Sequence, residues 1–370
     1  MTKRTGRRGY RPLLFGAAFG LLAGVATAQD TADDPARQAR VASITSRIRY
    51  ETVDLATLQL PAPMVEASRT KPVGPPPSTR SFSIEWASDT VSVLVYAETP
   101  SGSLQITLEP GTPERPFTKG DSAGFVFPGV DDPVPPGTYT FDLGGSGSDA
   151  ASVKSKSRRG SQPGSGTLDL NLFVLEGCGL TGQQLGEALA VFEDSFSDAS
   201  IHLGKMTVVT VTGASAYLSP GSYAEADAIA ASLSRQLTAS PPNALGANLF
   251  FLKKMPDLYG FSQGIPAALG IPATSSGGVV ISVDTHITDR GFDSHELGLT
   301  IAHETGHSMG LYHTSERDGS QHDTIYDTPT CAGGSESACP DGTNLMFWSG
   351  HYPNLSAGQA YVLRRSPIVR

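Results

Sequence analysis

The rhythm of hydrophobic and polar positions along the chain changes at two places. Between residues 80 and 158, apolar positions alternate singly with polar ones in the short runs "SFSIEWA", "VSVLVYAE", "SLQITLEP" and "GTYTFDL", parted by Gly/Pro turns. A period of two with frequent punctuation predicts half-buried strands and a small all-β sandwich over 80–158. From residue 167 strands and helices alternate. "TLDLNLFVL" predicts a strand, and in "TGQQLGEALAVFEDSF" the residues Leu185, Leu189, Phe192 and Phe196 share one helical face behind a capping box of Thr181 and Gln184. "KMTVVTVTG" is a second strand. "SYAEADAIAASLSRQL" is a second helix, capped by Ser222 and Glu225, with Ile229, Leu233 and Leu237 on one side. "ANLFFLKKM" and "GGVVISVDT" add strands, and a third helix starts at Asp293, with Glu296 three residues in, and runs through "SHELGLTIAHETGHSMG". Together these predict one α/β domain over 167–370 with a mixed sheet, preceded by the small all-β unit. "GGVVISVDT" suits either an exposed edge or an interior strand, and its unbroken apolar run leans to the interior.

The flanks differ in character. "MTKRTGRRGYRP" is basic, "LLFGAAFGLLAGVATA" is a short apolar run, and Ala26-Thr27-Ala28 is a small-residue cleavage pattern. They predict a signal peptide over 1–28 and a secreted or periplasmic protein with no membrane anchor after cleavage. Residues 29–79, with room for a short helix and ending in the Pro-rich "KPVGPPPSTR", have the composition of a propeptide or linker. "RRGSQPGSG", ending in the linker 159–166, predicts an exposed connector with Arg158-Arg159 as a proteolytic target. Whether 29–159 is removed or kept is open at this level. The net charge of −9 becomes −14 once the five basic residues of the leader go, and so acidic a chain argues against nucleic-acid partners. In an exported chain Cys331 and Cys339, close together in a Gly/Ser-rich loop, suit a disulfide, leaving Cys178 as a buried thiol.

Candidate chemistry is concentrated in "HETGHSMGLYH", residues 303–313, which holds three of the chain's eight histidines. His303 and His307, four apart on a helix, project from one face and reach one ion. Gly310 breaks the helix where the chain turns to bring in His313. Three imidazoles leave one position of a tetrahedral Zn2+ site open, the mark of a catalytic rather than a structural site. Glu304, beside the first ligand, is placed as a general base. In a chain of this composition the pattern arises by chance on the order of 1e-5 times.

This stretch resembles the long zinc-binding consensus of the metzincin metallopeptidases. "GLYHTSERDG", "HDTIYDTPTC", "TNLMFWS" and "LSAGQAYVL" are similar to the pappalysin branch, over about 295–362. The resemblance implies a zinc endopeptidase acting on protein or peptide substrates, with ligands His303, His307 and His313, base Glu304, and Met346 in a tight turn beneath the metal. It also implies a calcium segment at Asp323, Asp327 and Thr328, for which a turn held by Asx hydrogen bonds is the equal alternative. The chain departs from the family at Trp348, where a tyrosine is usual, and His351 and Tyr352 are candidates to replace it. A secreted binding or adhesion protein with an inert zinc site is the alternative function. The oligomeric state is not encoded in any of these features.

Overall fold

The computed structural model describes residues 34–54, 79–108, 116–128 and 134–370. The expected signal peptide and the Pro-rich run to residue 78 lie outside the described residues. Among the described residues no helix is long and apolar enough to cross a membrane.

In chain order the elements are α1 (Pro35–Ser46), β1 (Ile48–Asp54), β2 (Arg80–Trp86), β3 (Thr90–Glu98), β4 (Gln105–Leu108), β5 (Phe117–Lys119), β6 (Ser122–Phe127), β7 (Gly137–Gly144), β8 (Ser152–Arg159), β9 (Gly166–Leu175), α2 (Gly182–Ser195), β10 (Ile201–Thr212), α3 (Tyr223–Leu237), β11 (Ala247–Leu252), β12 (Gly260–Ser262), β13 (Gly278–Ser282), α4 (Ser294–Ser308) and α5 (Ala357–Arg365). A six-stranded sheet runs in the order β1-β10-β9-β11-β13-β12. Its pairings are parallel except for β12, which is antiparallel to β13. Helices α2 and α4 share one core with the sheet, and α3 packs on the other core. Near-continuous burial of β9, β11 and β13 follows from cover on both faces.

The helix starts follow the local chemistry. Thr181 Oγ1 accepts from Gln184 N at 3.2 Å while Gln184 Oε1 accepts from Thr181 N at 2.9 Å, a reciprocal box. Ser222 Oγ accepts from Glu225 N, and Asp293 Oδ1 accepts from Glu296 N.

Two elements lie where the hydrophobic pattern gives little warning. Helix α1 and strand β1 come from the stretch with linker-like composition, yet β1 pairs in parallel with β10 over its whole length, from Ile48 opposite Met206 to Asp54 opposite Thr212. Ile44 and Ile48 join the core that carries α4. The sheet of the α/β unit therefore extends beyond 167–370. Strand β12 is the other surprise: this three-residue segment forms the sheet edge, and "GGVVISVDT" (β13) lies inside between β11 and β12.

Between β1 and β9 the chain builds two antiparallel sheets, β2-β7-β4 and β5-β6-β3-β8. Both contribute to one core that includes Trp86, Val95, Phe125 and Phe141. Arg158 and Arg159 are not in a connector but end β8, paired with β3; residues 160 to 165 are the exposed link.

A buried asparagine network ties β9 to β11 and to the loop after α3. Asn171 Nδ2 donates to Asn248 Oδ1 (2.9 Å) and to Asn243 O (3.0 Å), and its Oδ1 accepts from Asn243 N (2.9 Å). Replacing Asn171 with leucine strands these partners in the interior. The expected loss is about 2–4 kcal/mol, measured by urea unfolding; a loss below about 1 kcal/mol would show that the network contributes little.

Candidate metal centre

Helix α4 is buried from Leu297 to its end, because it lies between the sheet and the C-terminal segment. His303 and His307 sit one turn apart on it, with ring centroids 4.6 Å apart. The helix stops in a Schellman motif: Leu311 N donates to Gly306 O, Gly310 N donates to His307 O, and Gly310 holds φ +111°. That turn sends the chain back so that His313 faces the other two rings.

The three rings meet through their Nε2 atoms. His313 Nε2 lies 3.2 Å from His303 Nε2 and 3.1 Å from His307 Nε2. His303 Nδ1 lies 2.6 Å from the carbonyl of Leu345, and His307 Nδ1 lies 2.7 Å from that of Leu311. A carbonyl only accepts, so each Nδ1 carries the proton and each Nε2 presents a lone pair. His313 Nδ1 stands 3.1 Å from Glu316 Oε1. Lone pairs directed at one another in a buried space are repulsive unless a cation lies between them. The ligand spacing of tetrahedral zinc, about 3.3 Å between donor atoms bound at about 2.0–2.1 Å, matches what is seen. Burial, and then the neighbouring imidazole His313, pulls His303 down to about 3; burial with the charges of His303 and His313 takes His307 well below its usual range. Both rings are thereby kept neutral, the form that binds metal.

Glu304 is buried beside them. Burial raises its carboxyl to about 8, partly offset by the nearby backbone N–H of Ser262. Strand β12 is its immediate neighbour: a Cβ on Gly260 would stand 3.1 Å from Glu304 Cγ. Ser282 N donates to Tyr259 O and Gln263 N donates to Gly278 O, so residues 259, 261 and 263 face β13. By alternation the backbone groups of Gly260 and Ser262 face away from the sheet.

Met346 is fully buried below the helix, and a Cβ on Gly306 would come within 2.7 Å of its Sδ. Its N–H donates to Asn344 Oδ1 and its carbonyl accepts from Thr314 N, one residue past the third histidine. Trp348 points elsewhere: its Nε1 donates to Gly334 O at 3.2 Å and Arg317 covers its ring. His351 is bound to Glu296 Oε1 at 2.8 Å. Burial lowers its pKa, but the hydrogen bond to Glu296 and the charges of Glu296 and Glu336 outweigh that and raise it. Tyr352 is half-buried. Tyr223, which carried no sequence signal beyond its place in an amphipathic helix, packs its ring 5.0 Å from that of Phe261 in β12. Burial first, then the charges of Asp227 and Glu304, push its phenol up.

Cys331 and Cys339 form a disulfide, and Cys178 is a buried free thiol. Asp341 approaches both bridged sulfurs, but a disulfide offers no thiolate to a metal. Asp323 and Thr328 meet in a turn: the Thr328 hydroxyl contacts both Asp323 Oδ1 and Ile325 O, and Ile325 N donates to Asp323 Oδ1. Asp327 Oδ2 accepts from Gly358 N at 2.9 Å. The Asx-turn alternative thus accounts for the bonded atoms.

Residues 183–354 match the family model Reprolysin_5, described as Metallo-peptidase family M12. This span, from α2 past the turn at Met346, has a metallopeptidase fold. No curated protein matches the chain in sequence. Among solved structures, similarity extends to "Structure of a chaperone-substrate complex" at 12% identity and TM-score 0.33, covering 59% of this chain and 38% of that one. Metalloproteinase-II from Bacteroides fragilis is similar at 14% identity and TM-score 0.36, covering 56% and 55%. Archaemetzincin from Methanopyrus kandleri is similar at 16% identity and TM-score 0.30, covering 56% and 90%. The chain thus spans less than two thirds of the first two.

Gly350 packs against the first histidine of the cluster. It holds φ +66°, and a Cβ there would stand 2.8 Å from His303 Nδ1, against the bond to Leu345. Gly350→Ala is expected to weaken Zn2+ binding about 10–100-fold, measured by competition with a chromogenic chelator. Unchanged affinity would mean that this contact does not orient the ring.

Proposed function

We propose that the chain is a secreted zinc-dependent endopeptidase of the metzincin type, similar to the pappalysin branch. The convergence of three Nε2 lone pairs, two of them fixed by carbonyls on the opposite nitrogen, carries this reading. His303, His307 and His313 would hold the ion. Zinc, when bound, polarises the scissile carbonyl and makes water acidic near neutral pH.

The remaining steps belong to the protein. Glu304 lies beside the cluster in a dry setting, where a carboxylate is a stronger base than in water. It takes a proton from the attacking water and returns it to the departing amine, so one carboxyl serves as base and then acid. The outward backbone groups of Gly260 and Ser262 suit an extended substrate added as a further strand on β12. Met346 fills the floor under the helix and fixes its height. The disulfide fits an oxidising destination, and with it the leader at 1–28.

Calcium belongs to the same proposal, through oxygens that the turn leaves over. Asp323 Oδ2, Asp327 Oδ1 and both carboxylate oxygens of Asp341 are buried without hydrogen-bond partners. Burial chiefly, with the charges of Asp327 and Asp341, raises Asp323 to about 7. A hard cation suits such oxygens.

Two measurements check these assignments. Glu304→Gln is expected to keep one zinc per chain and to lose casein cleavage at least about 100-fold; undiminished cleavage would remove Glu304 from its role. For the acidic group, the folded pKa of Asp323 exceeds its unfolded value of 3.8. Its proton therefore favours the folded state, and in chelator stability falls as pH rises from about 4 through about 7. Added Ca2+ should remove the part of that fall owed to Asp323, and so should Asp323→Asn. Melting curves insensitive to Ca2+ across this range would exclude the ion.

A further inference from the structure

Segment 263–269, which links edge strand β12 to β13, contains no helix or strand, yet every residue in it is buried. Irregular backbone normally lies at the surface, where water satisfies its polar groups. Here the two-sheet unit covers it. Leu94 and Tyr96 of β3 pack on Ala268 and Ile271. Tyr96 Oη lies 3.1 Å from Ser275 Oγ, and Glu98 Oε2 accepts from both Ser275 N and Ser275 Oγ at 3.1 Å.

The contact reaches the metal centre. A Cβ on Gly310, in the turn between the second and third histidines, would stand 2.7 Å from Val126 Cγ1 of β6. Ala267 N donates to Ser308 O at the end of α4, and Tyr312 Oη donates to Ile265 O. Lys119 of β5 pairs with Asp227 of α3 and lies over the Phe261 ring of β12. Near α5, Ser92 Oγ donates to Arg365 O and Arg158 Nη1 to Arg364 O. Strand β6 is buried at all six positions, although one of its faces already lines the core between the two sheets. The second face is covered by the α/β unit.

The same N-terminal stretch holds the opposite edge of the large sheet. Strand β1 pairs with β10, and Ile44 and Ile48 enter the core of α2 and α4.

From these contacts we infer that α1, β1 and strands β2 to β8 form a permanent two-ended clamp on the α/β unit and not a removable pro-segment, with β1 closing one edge of the sheet and the four-stranded β5-β6-β3-β8 layer holding segment 263–276 and the Gly310 turn at the other. Cutting the exposed link at 160–165 then yields a two-chain protein and no release. This inference does not depend on peptidase activity.

A recognition sequence for a highly specific protease, inserted between Gly160 and Gly166 of the mature protein, tests it. After complete cutting, the two fragments should co-elute on native size exclusion at micromolar concentration and melt in one transition, with one zinc retained. Separation of the fragments overturns the clamp, as does a folded, zinc-binding 166–370 fragment or a rise in casein cleavage after the cut. Val126→Glu in the uncut chain gives a second readout. Amide exchange in 263–276 should speed up at least about tenfold while α2 is unchanged; equal exchange in both proteins would overturn the role of the Gly310 contact.

Discussion

The candidate metal centre rests on a proton placement. Because Leu345 and Leu311 offer only carbonyl oxygens to the Nδ1 side of His303 and His307, those rings have one usable tautomer, and their remaining lone pairs converge. Each carbonyl is held by a turn outside the helix: the Schellman turn fixes Leu311, and the turn ahead of Met346 fixes Leu345, whose N–H bonds to Asn354 O. The site is thus less a property of helix α4 than of two irregular segments that dictate which nitrogen faces inward. Cation-free, the cluster is a concentration of repulsive lone pairs in a low-dielectric space, and that repulsion is held in place by the surrounding core.

The acidic side of the chemistry follows the same logic. Glu304 lies on the same buried helix, but its surroundings are those of a sheet edge. Gly260 admits it at close range, and the backbone N–H of Ser262 on the same edge faces away from the sheet. The edge strand thus borders the Glu304 side chain directly.

Much of this was legible in the residues. The spacing of His303, His307, Gly310 and His313 encodes a helix, its termination and a return, each with a local physical cause. The caps at Thr181, Ser222 and Asp293 were equally visible. Strand β1 was not, because a short edge strand that buries little has no apolar run: "IRYETVD" is mostly exposed, and its register is set by β10, far along the chain. Strand β12 was hidden by its brevity, and the burial of 263–269 by the fact that its cover comes from another unit. Trp348 could be recognised as a departure from the resembled family, but its direction is fixed by Gly334 and Arg317, which no spacing rule brings together.

Parallel pairing of β1 also has a consequence for biosynthesis. Ile48 meets Met206 only after the whole two-sheet unit has been made, so α1 and β1 leave the ribosome long before their partner exists. The intervening unit can assemble first, since its pairings lie within residues 80–159. The large sheet closes afterwards, around a loop more than one hundred and fifty residues long, and such a non-local contact forms late and slowly. During that interval the apolar side of α1 and the unpaired edge of β10 are the surfaces most in need of protection from other chains.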